Sequence, residues 1–232
     1  MADLISNEKL PKHIGIILDA NGRWAKMRGK ERSYGHQVGS DNVERVISYA
    51  FERGIKVMSL YAFSCENWAR PKPEVDELMR LLDAYMKKFI KKILKNDVKL
   101  SVMGDITALS PNLQKSIKKA VEQTADRQKF VLNIGINYGG RQEIVNAVNQ
   151  LVKDGKEITV DNISKNLYTA PFGEPDIIVR TGGEYRLSNF MLFQGAYSEL
   201  YFTDVLWPDF DEKELDKVLV EYSKRTRRFG KV

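Results

Sequence analysis

The stretch HIGIILDANGRWA, residues 13–25, decides the fold class of this 232-residue chain. Its first part, HIGIIL at 13–18, is a nearly continuous apolar run, which is typical of a parallel strand that is covered on both faces. The segment that follows, from Asp19, is polar and contains a glycine. In open parallel sheets, ligands bind outside the carboxyl ends of the strands. The stretch therefore predicts a buried strand that leads directly into a binding loop.

Five more short apolar runs follow along the chain. They are KVMSLYAF (56–63), VKLSVM (98–103), FVLNIGINY (130–138), DIIVR (176–180) and ELYF (199–202). Strands that alternate with helices predict an α/β domain with an open, mostly parallel sheet of about six strands and helices on both faces. Since no linker or internal repeat interrupts the pattern, residues 1–232 are expected to form a single domain, with 1–12 flexible and 224–232 as a basic tail.

Local signals place the helices between these runs. Apolar residues at helical spacing predict a helix through 43–51, with Gly54 at the position of a C-cap glycine. Ser110 precedes a proline, which indicates an N-cap followed by proline in the first turn. A further helix is expected at about 143–152, and Asp211 is expected to open the last one.

Composition limits the partners of the chain without choosing among them. The sequence has 37 Lys and Arg against 31 Asp and Glu, a net charge of +6. This excess is compatible with nucleic acid, an acidic membrane surface or a phosphorylated small molecule. One cysteine excludes an intrachain disulfide, and with two histidines it nearly excludes a Cys/His zinc site.

No targeting signal is visible in the sequence. Residues 1–12 contain acids and lack the apolar core of a signal peptide, and no run approaches the ~20 apolar residues that span a bilayer. We therefore expect a soluble cytoplasmic protein.

The segment 74–95 (EVDELMRLLDAYMKKFIKKILK) has apolar residues on more than one stripe of a helix. One interpretation is a long helix packed on the sheet. The alternative is that part of this wide, methionine-containing face lines a hydrophobic channel. Leu82, Tyr85, Met86 and Phe89 are the candidates for closing such a channel.

Polar residues collect after five of the six runs, on one predicted edge of the sheet. The loops are 19–24, 64–70, 104–105, 139–141 and 181–188. Glycines let backbone N–H groups approach an oxyanion, and an arginine can bind two phosphate oxygens in a bidentate way. A lone Asp such as Asp19 is a plausible Mg²⁺ ligand, because Mg²⁺ takes one or two carboxylates together with phosphate oxygens. The edge therefore predicts a diphosphate–Mg²⁺ site.

Several familiar signatures are absent. The segment from Gly22 to Lys30 has too many residues for a P-loop, and Glu31 stands where Ser or Thr would be needed. No dinucleotide-binding G-x-G-x-x-G follows a run, and no nucleophile elbow G-x-S-x-G is present.

Motifs along almost the whole chain resemble those of the cis-prenyltransferase family. They are HIGIILDANGRWA (13–25) with Arg32 and His36, YAFSCENW (61–68) with Arg70, NYGGR (137–141), RTGGE (180–184), RLSNF (186–190), QGAYSELYF (194–202) and WP (207–208). The resemblance implies transfer of a prenyl group. Isopentenyl diphosphate would be condensed in Z geometry onto an allylic diphosphate such as farnesyl diphosphate. The product would be a long polyprenyl diphosphate such as undecaprenyl diphosphate, a precursor of the lipid carrier for cell-wall synthesis.

The resemblance also assigns roles to residues. Asp19 would bind Mg²⁺, with Glu199 completing the metal site. The primer diphosphate would be held by Ala20, Asn21, Gly22, Arg23, Arg32 and His36, and that of isopentenyl diphosphate by Arg180, Arg186 and Ser188. The reacting centre would be lined by Ser64, Glu66, Asn67, Trp68 and Arg70, and Trp24, Cys65 and Leu187 lie in the same substrate-binding motifs.

Catalysis and assembly follow from the same resemblance. Asn67 is the family's usual candidate for assisting proton removal. An amide is a poor base, so we assign Asn67 to positioning and leave the acceptor open between Asp19, diphosphate and water. Arg228-Phe229-Gly230 matches the family's C-terminal Arg-x-Gly signature. By resemblance, this segment would reach across a homodimer to the site of the partner. The product implies peripheral contact with the inner face of the membrane, and no nucleic acid is expected.

The sequence departs from the family pattern at four positions. The family usually has glycine at the position of Ala20, serine at that of Gly182, threonine at that of Cys65 and tryptophan at that of Phe193. Ala20 matters most, because its methyl group intrudes where backbone approaches phosphate and penalises a positive φ. Two alternatives stay open at this point. They are a non-catalytic prenyltransferase-like subunit and a protein whose basic rim and tail bind a polyanion.

Overall fold

The computed structural model describes residues 9–93 and 97–226, with side chains described for all of these except 89–93. Its centre is one six-stranded sheet, and every strand lies within one residue of a run picked out from the sequence. The strands are β1 (His13–Ile17), β2 (Val57–Ser64), β3 (Val98–Met103), β4 (Phe130–Tyr138), β5 (Ile177–Arg180) and β6 (Glu199–Phe202). The strand order is β3-β4-β2-β1-β5-β6, and all five pairings are parallel. The predicted fold class is confirmed.

Seven helices connect the strands in the described part of the chain. They are α1 (Asn21–Lys26), α2 (Arg32–Glu52), α3 (Lys72–Ile93), α4 (Pro111–Gln123), α5 (Gly140–Lys153), α6 (Val160–Lys165) and α7 (Glu212–Lys224). The two six-residue helices α1 and α6 were not predicted, since neither is long enough to show a helical period. The long helix predicted at 74–95 corresponds to α3.

The predicted helix ends are confirmed by their hydrogen bonds. The side chain of Ser110 accepts a bond from the backbone N–H of Leu113, and that of Asp211 accepts one from Glu214. Each satisfies a backbone donor that the first turn of a helix leaves free. Gly54 follows α2 with a φ of 95°, a conformation that favours glycine.

Alternate residues of β1 face two separate parts of the core. Ile14 and Ile16 belong to the larger apolar cluster, whereas Ile17 belongs to a smaller one on the opposite face of the sheet. On that second face Gly15 matters, because a Cβ built on it would lie 3.1 Å from the ring of Phe190. The backbone of β1 therefore lets the segment around Phe190 pack directly on the sheet.

The chain order places a topological switch point at β1. From β1 the chain runs to β2 on one side, and only after β4 does it cross back to β5 on the other side. The loops that follow these neighbouring strands therefore diverge and leave a crevice at the carboxyl edge.

Two further predictions concern the ends of the chain and a membrane. Lys12, in the segment expected to be flexible, is tied down by its backbone, since its N–H donates to Asp176 and its carbonyl accepts from Val57. The ends 1–8 and 227–232, with most of the basic tail, lie outside the described residues. Within the described ranges, no helix is both long and apolar enough to cross a bilayer.

Candidate active site

The crevice at the carboxyl edge of the sheet is a cavity of about 920 Å³. The structure brings fourteen of the predicted site residues to its wall. They are Asp19, Ala20, Asn21, Gly22, Arg23, Arg32, His36, Ser64, Glu66, Asn67, Arg70, Arg180, Leu187 and Ser188. Residues far apart in sequence therefore meet where the parallel-sheet rule places them.

Asp19 and Arg180 form an ion pair in this cavity. Asp19 Oδ2 accepts a hydrogen bond from Arg180 Nη2 at 2.8 Å, and its Oδ1 accepts one from the backbone N–H of Ala20 at 2.6 Å. The Arg180 side chain is only 4% exposed and also donates to Ser188 Oγ at 2.7 Å. Arg23 lies 3.9 Å from the same carboxylate. A single carboxylate is thus held between two cations with one edge open to the cavity.

This donor set fits Mg²⁺ bound together with a substrate. Of the residues that line the cavity, Asp19 and Glu66 are acidic. Among the residues described, no three His, Cys, Asp or Glu side chains cluster as a metal site of their own. Mg²⁺ commonly uses one or two carboxylates and fills its remaining positions with substrate phosphate oxygens and water.

Ala20 begins α1 in a left-handed conformation, with φ 78° and ψ 17°. The sequence raised the concern that a positive φ at this position would be penalised in alanine. The position does have a positive φ, so the chain carries the associated strain, typically about 1 kcal/mol or more for a residue with a Cβ.

Two arginines and a histidine of the cavity converge on Glu74. Its Oε1 accepts from Arg32 Nη2 and Arg70 Nη1, each at 3.1 Å, and lies 3.7 Å from His36 Nε2. Burial and the charge of Arg70 lower the pKa of His36, and the nearby Glu74 only partly opposes them. Sequence reasoning missed Glu74, although its position four residues after Arg70 in a first helical turn allows an ion pair.

The turn after β2 is organised by Asn67. The side-chain Oδ1 of Asn67 accepts the backbone N–H of Ser64 at 3.1 Å, while the Ser64 side chain accepts the backbone N–H of Asn67. This reciprocal capping box closes the 3-10 turn Cys65–Ala69. The same turn presents Glu66, whose carboxylate accepts a bond from Asn189 at 2.8 Å. The geometry agrees with a positioning role for Asn67.

Cys65 and Trp68 are not among the residues that line the cavity. Cys65 Sγ packs against Gly139, and burial raises the pKa of its thiol. The indole N–H of Trp68 donates to Asn137 Oδ1 at 2.8 Å. Both therefore join the 65–69 turn to the end of β4.

Two further predicted residues, Trp24 and Arg186, are not among those that line the cavity, and their roles toward substrate stay predictions. Trp24 is buried and donates its indole N–H to Asp209 at 2.7 Å, a contact that anchors α1. Arg186 is 59% exposed and pairs with Glu184 at 2.6 Å, while its backbone carbonyl accepts a bond from Arg180.

Glu199 lies far from Asp19 within one chain, and its role as a metal ligand stays a prediction. It lies at the amino end of β6, level with Ile177, whereas Asp19 lies beyond the carboxyl end of β1. At about 3.3 Å per residue, the two are on the order of 15 Å apart along the strand direction. Glu199 instead accepts a bond from Arg225 at 2.7 Å. Within one chain, Glu199 and Asp19 do not form a common metal site.

Sequence reasoning also left out several cavity residues. Tyr61, Arg141 and Asn189 line it, although all three lie in quoted motifs. Asn189 takes a positive φ of 65° and bonds both Glu66 and the backbone of Arg141. The available signal was polarity at the ends of the runs, which cannot show where a side chain is directed.

A second, mainly apolar cavity of about 100 Å³ adjoins the first, with Leu18, Ala62 and Leu78 in the walls of both. Leu82 and Tyr85 of α3 line it, as predicted for a channel, whereas Met86 is fully buried in the core. The side chain of Phe89 lies outside the described set. The wide apolar face of α3 is therefore compatible with both interpretations given above, because part of it packs in the core and part borders a cavity.

Comparisons with known proteins identify the family of the chain. A family model with the description "Putative undecaprenyl diphosphate synthase" matches residues 17–230. The isoprenyl transferase of Fusobacterium nucleatum is 52% identical over 97% of this chain and 98% of its own length. The ditrans,polycis-undecaprenyl-diphosphate synthase ((2E,6E)-farnesyl-diphosphate specific) of Pasteurella multocida is 46% identical over 99% and 98%.

Solved structures show the same likeness. Lavandulyl diphosphate synthase from Lavandula x intermedia, in complex with dimethylallyl diphosphate, superimposes with a TM-score of 0.92 at 35% identity, over 97% of this chain and 100% of that one. A probable undecaprenyl diphosphate synthase from Campylobacter jejuni gives 0.83 at 31% identity, over 95% and 99%. The resemblance found in the motifs is confirmed: this chain belongs to the undecaprenyl diphosphate synthase family of prenyltransferases.

Proposed function

We propose that the chain condenses isopentenyl diphosphate repeatedly onto an allylic diphosphate in cis geometry, with farnesyl diphosphate as primer and undecaprenyl diphosphate as product. One observation carries the proposal. A cavity lined by arginines around the carboxylate of Asp19 opens beside an apolar cavity along α3. The first suits two diphosphates and the second suits a hydrocarbon chain. The primer and product are those in the name of the Pasteurella multocida relative.

Mg²⁺ is part of the proposal, with Asp19 as its protein ligand. When bound, the ion would neutralise charge that develops on the departing diphosphate. The chain's own contribution is to orient the Asp19 carboxylate, through Arg180 and the N–H of Ala20. Arginines aimed at the same region stabilise the growing negative charge of the leaving group further.

The two diphosphates are assigned to two sides of the cavity. The primer would lie against the α1–α2 side, where Gly22, Arg32 and His36 meet. Isopentenyl diphosphate would lie on the β5 side, where Arg180 and Ser188 are already joined by a hydrogen bond. Asn67 shapes the wall between them, and the proton acceptor stays open between Asp19, diphosphate and water.

Assembly and location remain predictions. A homodimer follows from the C-terminal signature, which lies outside the described residues, and the cytoplasmic, membrane-peripheral location follows from the proposed product. Of the alternatives, a polyanion-binding role receives little support. Arg23, Arg32, Arg70 and Arg180 all line one crevice, and each has an acidic partner there.

The experiment is a turnover assay of the purified chain with farnesyl diphosphate, labelled isopentenyl diphosphate and Mg²⁺. Diphosphate release and thin-layer chromatography of the extracted product are measured. Asp19→Asn keeps the shape of the side chain and is expected to lower kcat by about two orders of magnitude or more, because its charge acts in the transition state. Asp126→Asn, at an exposed turn after α4, makes the same charge change and is expected to leave the rate unaltered.

Absence of turnover by the wild-type chain, tested with several primer lengths, would contradict the proposal. It would favour the reading as a non-catalytic subunit. Full activity of Asp19→Asn would remove Asp19 from the chemistry while leaving the reaction itself in place.

A further inference from the structure

The basic residues on the primer side of the cavity already share an anionic partner within the chain. Arg32 and Arg70 both donate to Oε1 of Glu74, and His36 Nε2 lies 3.7 Å from the same oxygen. Three groups from α2 and the end of the 65–69 turn therefore meet at one carboxylate oxygen. We call Arg32, His36 and Arg70 the cradle residues.

The cradle residues also border the space assigned to the primer diphosphate. All three line the main cavity. A Cβ built on Gly22 would lie 2.7 Å from the guanidinium carbon of Arg32, so this guanidinium rests directly on the backbone of α1. An anion in the cavity at this point would face the same guanidinium groups that Glu74 engages.

Glu74 stays ionised in this environment. Burial acts to raise the pKa of its carboxyl, but the hydrogen bond and charge of Arg32 and the charge of Arg70 outweigh burial, and the net shift is downward. Its side chain is 18% exposed, so its charge is only partly screened by water. A fixed negative charge therefore lies among the cations before any substrate arrives.

We propose that Glu74 is an internal counter-ion that competes with the primer diphosphate for Arg32 and Arg70. This inference rests on the proposed function and deepens it. The competition weakens binding of the allylic diphosphate in the ground state, because each arginine must exchange one charged partner for another. It also makes α3, which carries Glu74 in its first turn, sensitive to whether the cradle is filled.

A purely structural role predicts the opposite effect. If Glu74 only oriented Arg32 and Arg70, its removal would loosen the guanidinium groups and weaken anion binding. If it only stabilised α3, as an acid in the first turn does, its removal would lower the thermal stability and leave anion affinity unchanged. The sign of the affinity change thus separates the three roles.

The test is isothermal titration calorimetry of inorganic diphosphate, and separately of farnesyl diphosphate, without isopentenyl diphosphate. Glu74→Gln removes the charge and keeps the shape. Its dissociation constant is expected to fall about fivefold, which corresponds to about 1 kcal/mol. Glu77→Gln is the matched control, because it lies on the same helix and loses the same charge, but its carboxylate pairs with Arg80. Its affinity is expected to stay within a factor of two of wild type.

Glu74→Asp is the second variant, for use if Glu74→Gln unfolds at a temperature too low for the titration. It keeps the acid in the first turn but withdraws the carboxylate by one methylene group, so an intermediate gain in affinity is expected. Unchanged or weaker binding by the variants, with a wild type that binds, would overturn the inference alone. A wild type that binds neither compound would overturn the proposed function.

Discussion

The methyl group of Ala20 occupies the space that a side chain at position 182 would need. A Cβ built on Gly182 would lie 2.8 Å from Ala20 Cβ and 2.9 Å from Arg23 Nη2. Both residues have a positive φ, 78° at Ala20 and 89° at Gly182. The two positions therefore form one contact between the loops after β1 and β5. Two departures from the family pattern, which looked independent in the sequence, are in fact sterically linked.

The first prediction is a coupling between these two positions. Gly182→Ser should destabilise the fold by about 1–3 kcal/mol, because it adds overpacking to backbone strain. In an Ala20→Gly background the steric part disappears, so the same substitution should cost at least about 1 kcal/mol less. Urea unfolding of the wild type, the two single variants and the double variant measures this coupling as a free energy. Strictly additive free energies would show that the contact has no energetic weight.

The second prediction concerns Gly35, at the contact of α2 with α1. A Cβ at this position would lie 2.0 Å from the backbone oxygen of Asn21, which starts α1. Gly35→Ala should therefore lower kcat/KM by at least about tenfold through displacement of the α1 backbone, even though alanine favours helix by about 1 kcal/mol. Gln37→Ala, on an exposed face of the same helix, is the control. Wild-type kinetics of Gly35→Ala would mean that α1 adapts freely.

The third prediction is a loss of stability in mild acid. His13 is 2% exposed, and burial lowers its pKa from 6.5 to about 4. In the neutral ring, Nδ1–H donates to the carbonyl of Gly173 (2.9 Å) and Nε2 accepts from Ser59 Oγ (2.7 Å). The unfolded chain therefore binds the extra proton first as the pH falls. This contribution to stability is complete above pH 6.5 and is lost between pH 6.5 and 4, by about 3 kcal/mol in all.

Urea unfolding at pH 7.5, 6 and 5 checks this third prediction. Subtracting the profile of His13→Gln removes the contribution of the acidic residues, which titrate in both proteins. Parallel profiles for the two proteins would contradict the assignment of His13 as a buried neutral side chain.

The fourth prediction is that the apolar cavity limits the length of the product. Leu82→Trp adds volume to the wall of a cavity of only about 100 Å³. The product distribution should shift to shorter chains, as seen by chromatography. Lys87→Trp adds the same side chain at an exposed position of α3. An unchanged distribution in Leu82→Trp would place the growing chain elsewhere.

Local patterns were sufficient for the six strands and the longer helices. Each strand was visible as a run of apolar residues, and the caps at Ser110 and Asp211 depend on a neighbour three residues away. The short helix α1 was missed because the residues after β1 read only as a polar loop. Its start depends on the backbone conformation of Ala20 and on the glycine of α2 that lets it approach.

The sequence by itself determined the parallel sheet, the edge at which its loops meet and the family, because strand period, parallel direction and long motifs are all properties of the chain read in order. Only the tertiary structure decided the partners of each site residue. Glu74 meets Arg32 from 42 positions away, Ala20 meets Gly182, and Glu199 pairs with Arg225 far from Asp19. The physical reason is that hydrogen bonds and steric contacts act over a few ångströms in space, whatever the distance along the chain.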